Sequence, residues 1–298
     1  MQNKDTFSSY HPFVNLIYFC LVLGFSMFLM HPACLAISLF CAVFYHSSLN
    51  GKKSLGFIMK FAFPMLLLTA IINPTFNHRG MIVLCTLPTG NPLTLESVLY
   101  GISAGVMLVS VLLWFGCCNA VMSSDKLVYL FGKIIPSLSL MISMILRFVP
   151  NFKKQFENVK EAQAGIGKDI SNGSLLRRLK NALNCFSIMV TWSLENAIDT
   201  ADSMKSRGYG LKGRTAFSNY KFTDKDKYCL IWLCFCAVYI LSGIISDNLH
   251  WRYFPSMQNM EIEPFTISFM FIYLAMCVTP IVINKREDKR WKSLESKI

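Results

Sequence analysis

What this sequence lacks removes most enzymatic functions before any motif is found. No glycine-rich loop leads into Lys-Ser or Lys-Thr, the usual cradle for nucleotide phosphates, so the chain is not itself an ATPase of that kind. No His-Glu-x-x-His and no His-Cys cluster occurs. His11, His31, His46, His78 and His250 are scattered near the ends of apolar runs, where anchoring and turn chemistry suit them better than metal binding. The 11 cysteines include no Cys-x-x-Cys pair, and most lie inside apolar runs, so they read as small packing residues rather than a disulfide framework. Those runs hold almost no acidic or basic residues, which argues against the relays of proton- and ion-coupled carriers. No spacing suggests the paired carboxylates or activated nucleophile of a membrane hydrolase. Basic residues are not arranged with aromatic platforms or in a helix-turn-helix pattern, so nucleic acid is set aside as a partner.

What is present is apolar length. With 53% hydrophobic and 15% charged residues and a mean hydropathy of +0.43, the chain falls in the membrane class. Runs of spanning length, roughly 17 to 25 residues, recur at His11 to Met30, Pro32 to Ser48, Phe57 to Ile72, Val98 to Met122, Tyr228 to Ile245 and Phe265 to Ile283. His31-Pro32 divides the first two as a natural helix stop, because the proline ring disfavours helical geometry in the residue before it. Lys4 and Asp5 precede the first run without a small-residue cleavage site, so a retained span is expected there.

The net charge of +12 orients these spans by the positive-inside rule. Arg147 to Lys227 carries 15 basic and eight acidic residues. Lys52 and Lys53 follow the second span, Lys126 the fourth, and Lys285, Arg286, Lys289, Arg290, Lys292 and Lys297 the sixth. The loop from Ser246 to Pro264 sets Asp247, Glu261 and Glu263 against Arg252. Six spans with both termini cytoplasmic satisfy these loops, and apart from Arg252 in that acidic loop Arg79 is the one basic residue placed outside. The expected fold is an all-α integral membrane protein of about six transmembrane helices with a cytoplasmic or interfacial coupling domain. Its parts are a four-span membrane domain at 1–124, amphipathic coupling helices at 125–227, two spans at 228–284 and a basic cytoplasmic tail at 285–298.

The central segment is too polar to be all membrane and too periodic to be a loop. Leu176, Leu179, Leu183, Phe186, Val190, Leu194, Ala197, Ala201 and Met204 mark one face of a long helix. Phe148, Phe152 and Phe156, extended by Val159 and Ile166, mark a second, with Pro150 near its start or at a kink and Asn172-Gly173 separating the two. Treating Leu130 to Val149 and Leu183 to Ile198 as further spans would place seven basic residues against three acidic ones outside, so helices along the inner interface are preferred.

Both helices end in small residues and glycine. Glu161-Ala162-Gln163-Ala164-Gly165-Ile166-Gly167 closes one, and Ala201-Asp202-Ser203-Met204-Lys205-Ser206-Arg207-Gly208-Tyr209-Gly210 closes the other. Each glycine suits a helix C-cap, which by itself accounts for its presence. A partner contact is the second reading: small residues admit a close approach, and the planar fork of Arg207 suits bidentate capture of carboxylates or carbonyls.

Three further marks stand in order with these tips: Asn73-Pro74-Thr75-Phe76-Asn77-His78-Arg79-Gly80, Thr94-Leu95-Glu96-Ser97 and Arg147-Phe148-Val149-Pro150. In that order, over essentially its whole length, the chain resembles the T component of energy-coupling-factor vitamin and metal importers, related to the membrane subunit of cobalt and nickel uptake systems. The resemblance implies a non-catalytic membrane scaffold with no cofactor of its own, ATP and Mg being held by two partner ATPase subunits. Each coupling helix would end in an Ala-Arg-Gly-like tip docked in a groove of one ATPase. Ala201, Ser206, Arg207 and Gly208 then form one docking tip and Ala164, Gly165, Ile166 and Gly167 the other, in which Ile166 stands where arginine is expected. The unequal tips favour two different ATPases. A small membrane S component would capture the substrate, and the stripe Leu176, Leu179, Leu183, Phe186, Val190 and Leu194 is expected both to pack between coupling helices and to meet that S component. Asn73, Pro74, Asn77, His78, Arg79 and Gly80 are family-motif positions. An integral-membrane enzyme at the inner interface, or a scaffold without transport, are the alternative classes.

Overall fold

A computed structural model of the chain describes residues 5–86, 92–134, 136–171, 173–209, 220–246, 249, 251–255 and 264–295. Lys4, Asn172, Gly210, Asp247, His250, Glu261, Glu263 and Lys297 lie outside them. The chain divides into two compact units, residues 1–127 with 220–298, and residues 128–219.

Backbone N–H and C=O groups in hydrocarbon must be satisfied within their own segment, so apolar runs of this length fold as helices. The first unit contains α1 (Pro12–Phe28), α2 (Pro32–Asn50), a short α3 (Lys52–Phe57) leading through a π-turn (Ile58–Ala62) into α4 (Phe63–Phe76), α5 (Leu95–Val121), α9 (Asp224–Ile245) and α10 (Pro264–Glu295). Five helices of the described chain are long and apolar enough to cross a membrane, and α1, at 17 residues, is a shorter apolar helix. They coincide with the six expected runs, and the chain is a multi-pass membrane protein. The expected third run begins earlier, because Ser54–Phe76 is continuous through the π-turn. Residues 285–295, expected as a tail, continue α10 without a break.

The ends of α1 and α2 use one device twice. His11 Nδ1 accepts from the Phe13 N–H at 3.3 Å and His31 Nδ1 accepts from the Ala33 N–H at 3.2 Å, each followed by proline at the first helical position. Proline has no N–H to orphan there, and the imidazole satisfies one of the donors that remain.

The amino-terminal segment plugs one end of this unit. Phe7 is fully buried against Tyr18 and Phe19, and its N–H donates to Asn284 Oδ1 at 3.0 Å. Tyr45 Oη donates to Asp5 Oδ2 at 3.1 Å, and Asn284 Nδ2 donates to Asp5 Oδ1. Lys126, at the start of α6 (Ser124–Ile134), is buried beneath this segment and donates to the Ser8 carbonyl and to Val121 O at 2.9 Å. Burial pushes its pKa below the ordinary lysine value. The His11 N–H donates to Asp226 Oδ1 at 2.8 Å, and Asp226 in turn closes a capping box with Thr223 at the head of α9. Residues 5–11 therefore tie α2, α5, α6, α9 and α10 together at one end.

Between α4 and α5 lies a small antiparallel hairpin, β1 (Val83–Thr86) with β2 (Pro92–Thr94), which no apolar periodicity announced. The two helices themselves meet across Gly101 and Gly105. A Cβ at Gly105 would stand 2.5 Å from Thr69 Oγ1 and 3.1 Å from Leu66 O, and one at Gly101 would stand 3.1 Å from Asn73 Cβ. Small residues four apart let helix backbones approach closely in a membrane, where dispersion rather than water expulsion drives association.

The second unit is built from α7 (Pro136–Gly165) and α8 (Leu175–Ser206). Pro150 lies inside α7 rather than near its start; it removes the bond to the Leu146 carbonyl without ending the helix. Neither α7 nor α8 is among the helices apolar enough to span. Gly105→Leu should force α4 from α5 and destabilise the fold by about 1–3 kcal/mol or more. Thermal unfolding in detergent should show a lowered midpoint, whereas Gly24→Ala, where a Cβ meets nothing within 4 Å, should leave it unchanged.

Candidate functional site

The two helix tips share one geometry. At the end of α8 the Gly208 N–H donates to Lys205 O at 3.0 Å and the Tyr209 N–H to Met204 O at 3.0 Å, with Gly208 at φ +78°. At the end of α7 the Gly167 N–H donates to Ala164 O at 3.0 Å and the Lys168 N–H to Gln163 O at 2.9 Å, with Gly167 at φ +76°. Both are Schellman closures, in which a left-handed glycine turns two N–H groups back onto carbonyls the helix would otherwise leave open. Arg207 and Ile166 hold the same position, immediately before the glycine, and both side chains are exposed. Ala201, Ser206, Ala164 and Gly165 are exposed beside them. One fold element thus presents a guanidinium at one tip and a bare hydrocarbon at the other.

The tips are not brought together. Residues 166–174 lead from the first tip directly to the start of α8, and the second lies at its far end, about 48 Å of helix away at 1.5 Å per residue. The turn is clamped onto α8: Asn181 Nδ2 donates to Asp169 O at 2.9 Å and Arg178 Nε donates to Ile170 O at 3.0 Å. The Ser171 N–H donates to Asp169 Oδ1 at 2.9 Å and holds that carboxyl below its usual pKa.

The face by which α8 packs on α7 differs from the one expected. Cys185 and Met189 are buried with Val159, and Trp192 meets Phe152 edge-on at 5.4 Å. The stripe Leu176, Leu179, Leu183, Phe186, Val190 and Leu194 is exposed, from 40% at Val190 to 81% at Leu176, so it does not join the coupling helices to one another. Cys185, Met189 and Trp192 precede or follow stripe positions by one to three residues, and the α7–α8 contact selects that neighbouring face. On α7 itself Met141, Ile145, Val149 and Phe156 are likewise exposed.

In the first unit the motifs at 73–80 and 94–97 interlock. Thr94 Oγ1 caps α5 and donates to Arg79 O at 2.9 Å, and Ser97 Oγ donates to the same carbonyl at 2.9 Å. Glu96, buried, accepts from the N–H groups of Met81 at 3.1 Å and Ile82 at 3.2 Å. Gly80, at φ +149°, passes so close that a Cβ would lie 2.5 Å from Glu96 Oε2. Asn77 Oδ1 accepts from the Arg79 N–H at 3.4 Å, and Pro74 is buried within α4. Asn73 Oδ1 and His78 Nδ1 are buried atoms without a hydrogen-bond partner among the described residues. Asn77, His78, Arg79 and Gly80 thus form a non-helical segment pinned to the start of α5, while Asn73 and Pro74 lie in the last turn of α4. Gly101 and Gly105 were missed by the motif reading, although their four-residue spacing was a usable signal; the clamp by Asn181 had none. Among the described residues no group of three or more His, Cys, Asp or Glu is placed to hold a metal ion.

The family profile described as cobalt transport protein (CbiQ) matches residues 10–217, more than half of the chain. Among curated proteins, the energy-coupling factor transporter transmembrane protein EcfT of Lactobacillus helveticus is 36% identical over 107 residues, covering 36% of this chain and 38% of the relative. The protein of that description, EcfT 1, from Listeria monocytogenes is 32% identical over 110 residues (36% and 41%), and the EcfT of Acidaminococcus fermentans 28% identical over 163 (51% and 60%). The matched stretches span less than two thirds of each of these relatives.

Gly208→Val should open the second tip, because a β-branched residue at positive φ costs more than about 1 kcal/mol. Hydrogen exchange should speed up at the amides of residues 208 and 209 and stay slow in the middle of α8.

Proposed function

The chain belongs to the CbiQ family of cobalt transport proteins, and we propose that it is the membrane-embedded coupling subunit of an energy-coupling-factor importer. Its tips dock two ATPase subunits, which bind and hydrolyse ATP with Mg, and its exposed helical faces receive a small S component that captures a vitamin or metal ion. Both termini lie in the cytoplasm, as the Lys and Arg distribution favours. The observation that carries this reading is the shared closure of the two tips at the ends of long helices whose apolar faces are left uncovered.

The mechanics follow from the helix. A continuous hydrogen-bonded rod of 32 residues moves as one body, so a displaced tip takes its apolar face along. An ATPase pair that closes on ATP would shift the tips, and α8 would transmit the shift to whatever lies on Leu176 to Leu194. Arg207 supplies a charge-assisted contact that fixes register at one ATPase. Ile166 supplies only apolar contact at the other, so the two docking sites differ in chemistry and suit two different ATPases. The stripe's exposure supports a second partner, because apolar patches of this extent mark interaction surfaces.

Two measurements test these assignments separately. Arg207→Glu should weaken copurification of the ATPases by about tenfold to a hundredfold and abolish uptake, with insertion intact, since hydrogen bonds to charged groups are worth about 1.5–3 kcal/mol. Ile166→Ala should weaken it less; the reverse ranking would overturn the unequal-tip reading. Phe186→Asp, at an exposed position on the stripe, should remove the S component from the purified complex and leave ATPase binding in place. Retention of the S component by that variant would locate its contact elsewhere.

A further inference from the structure

The first unit carries a cleft of about 700 Å³ between α9 and α10, within the roughly 300–1,000 Å³ of small-molecule sites. Its lining is graded along the helices. Trp232, Leu274, Val278 and Val282 form an apolar wall, and Lys225 and Arg286 stand together at one end. They meet there because α9 begins where the apolar part of α10 stops: Lys225 Nζ lies 3.0 Å from Glu287 Oε1, while deeper in the cleft Trp232 Nε1 donates to Thr279 Oγ1 at 3.3 Å. Tyr10 and Tyr228 flank the basic end.

Three quantities agree on the occupant. From Arg286 to Leu274 the cleft follows α10 for about 18 Å at 1.5 Å per residue, close to the roughly 15 Å of one hydrocarbon leaflet. The wall is open to the surroundings, with Trp232, Leu274 and Val282 each exposed. The charge sits only at the end where a headgroup would lie, and Glu287 neutralises one of the two cations while Arg286 makes no salt bridge among the described residues. We propose that this cleft is a binding site for an anionic phospholipid, with one acyl chain along the α9–α10 wall and the phosphate on Arg286, assisted by Lys225. The guanidinium fork suits a phosphate bidentately, and the tyrosine hydroxyls suit the interface between headgroup and chain. The site is independent of the ATPase-docking reading, because none of its residues lies in the tips or on α8.

Trp232 makes the site measurable. The full-length protein is reconstituted in phosphatidylcholine vesicles containing a small fraction of phosphatidylglycerol or phosphatidylcholine brominated in the acyl chains, and the Trp232 signal is isolated by subtracting Trp232→Phe. Brominated phosphatidylglycerol should quench Trp232 about tenfold more effectively per lipid than brominated phosphatidylcholine. The Arg286→Gln/Lys225→Gln double variant should lose the preference with its circular dichroism unchanged. Val278→Trp, assayed on a Trp232 background with its own Trp232→Phe control, should also lose it by filling the cleft while keeping both charges. Equal quenching by the two lipids, a preference that survives the double variant, or protection of Trp232 from both lipids by a partner helix would each overturn the proposal.

Discussion

An α-helix leaves four N–H groups at its start and four carbonyls at its end without partners, and a membrane offers little water to satisfy them. The chain meets this constraint with several kinds of residue. His11 and His31 cap with imidazole, Thr94 and Thr223 flank their helices with hydroxyls, and Glu96 takes up the N–H groups of the turn before α5. Gly167 and Gly208 close the two helices of the second unit by turning the backbone left-handed. The proposed ATPase contacts gather at such ends because there the backbone stops being self-sufficient and can face a partner.

The same constraint explains why the two units use apolar residues differently. In the first, apolar residues surround each helix, and contacts are selected by small residues such as Gly101 and Gly105 and by buried polar ties such as those of Lys126 and Asp5. In the second, they lie on stripes, one packed and one open. Burial of Cys185, Met189 and Val159 holds α7 to the first half of α8, and the open stripe remains available along α8. The proposed coupling role uses this division: one face of α8 held to α7, the other uncovered where a partner is to be carried.

Much of this was legible in residue order. Span-length runs, the His31-Pro32 stop and the two glycine tips are local signals, since hydropathy, proline geometry and left-handed glycine act within a few residues of where they are read. The hairpin of Val83–Thr86 with Pro92–Thr94 was not legible, because short exposed strands between two spans have no periodicity to distinguish them. Nor was the face of α8 that packs: Leu183 and Cys185 lie two residues apart, both apolar, and choosing between them requires the position of Phe152 and Val159 on another helix.

By itself the amino-acid order determined the helical membrane class, the amphipathic centre and the chemistry at each tip, Arg207 against Ile166, because these depend on composition and on neighbours within a turn or two. Only the tertiary structure decided that the leucine stripe stays uncovered, that the tips stand a helix length apart, that Gly80, Thr94 and Glu96 lock into one turn, and that Lys225 and Arg286 share the mouth of a cleft. Each of these joins residues far apart in the chain or selects one of two similar faces, and the free energy that settles such choices arises from contacts that exist only once the helices have met.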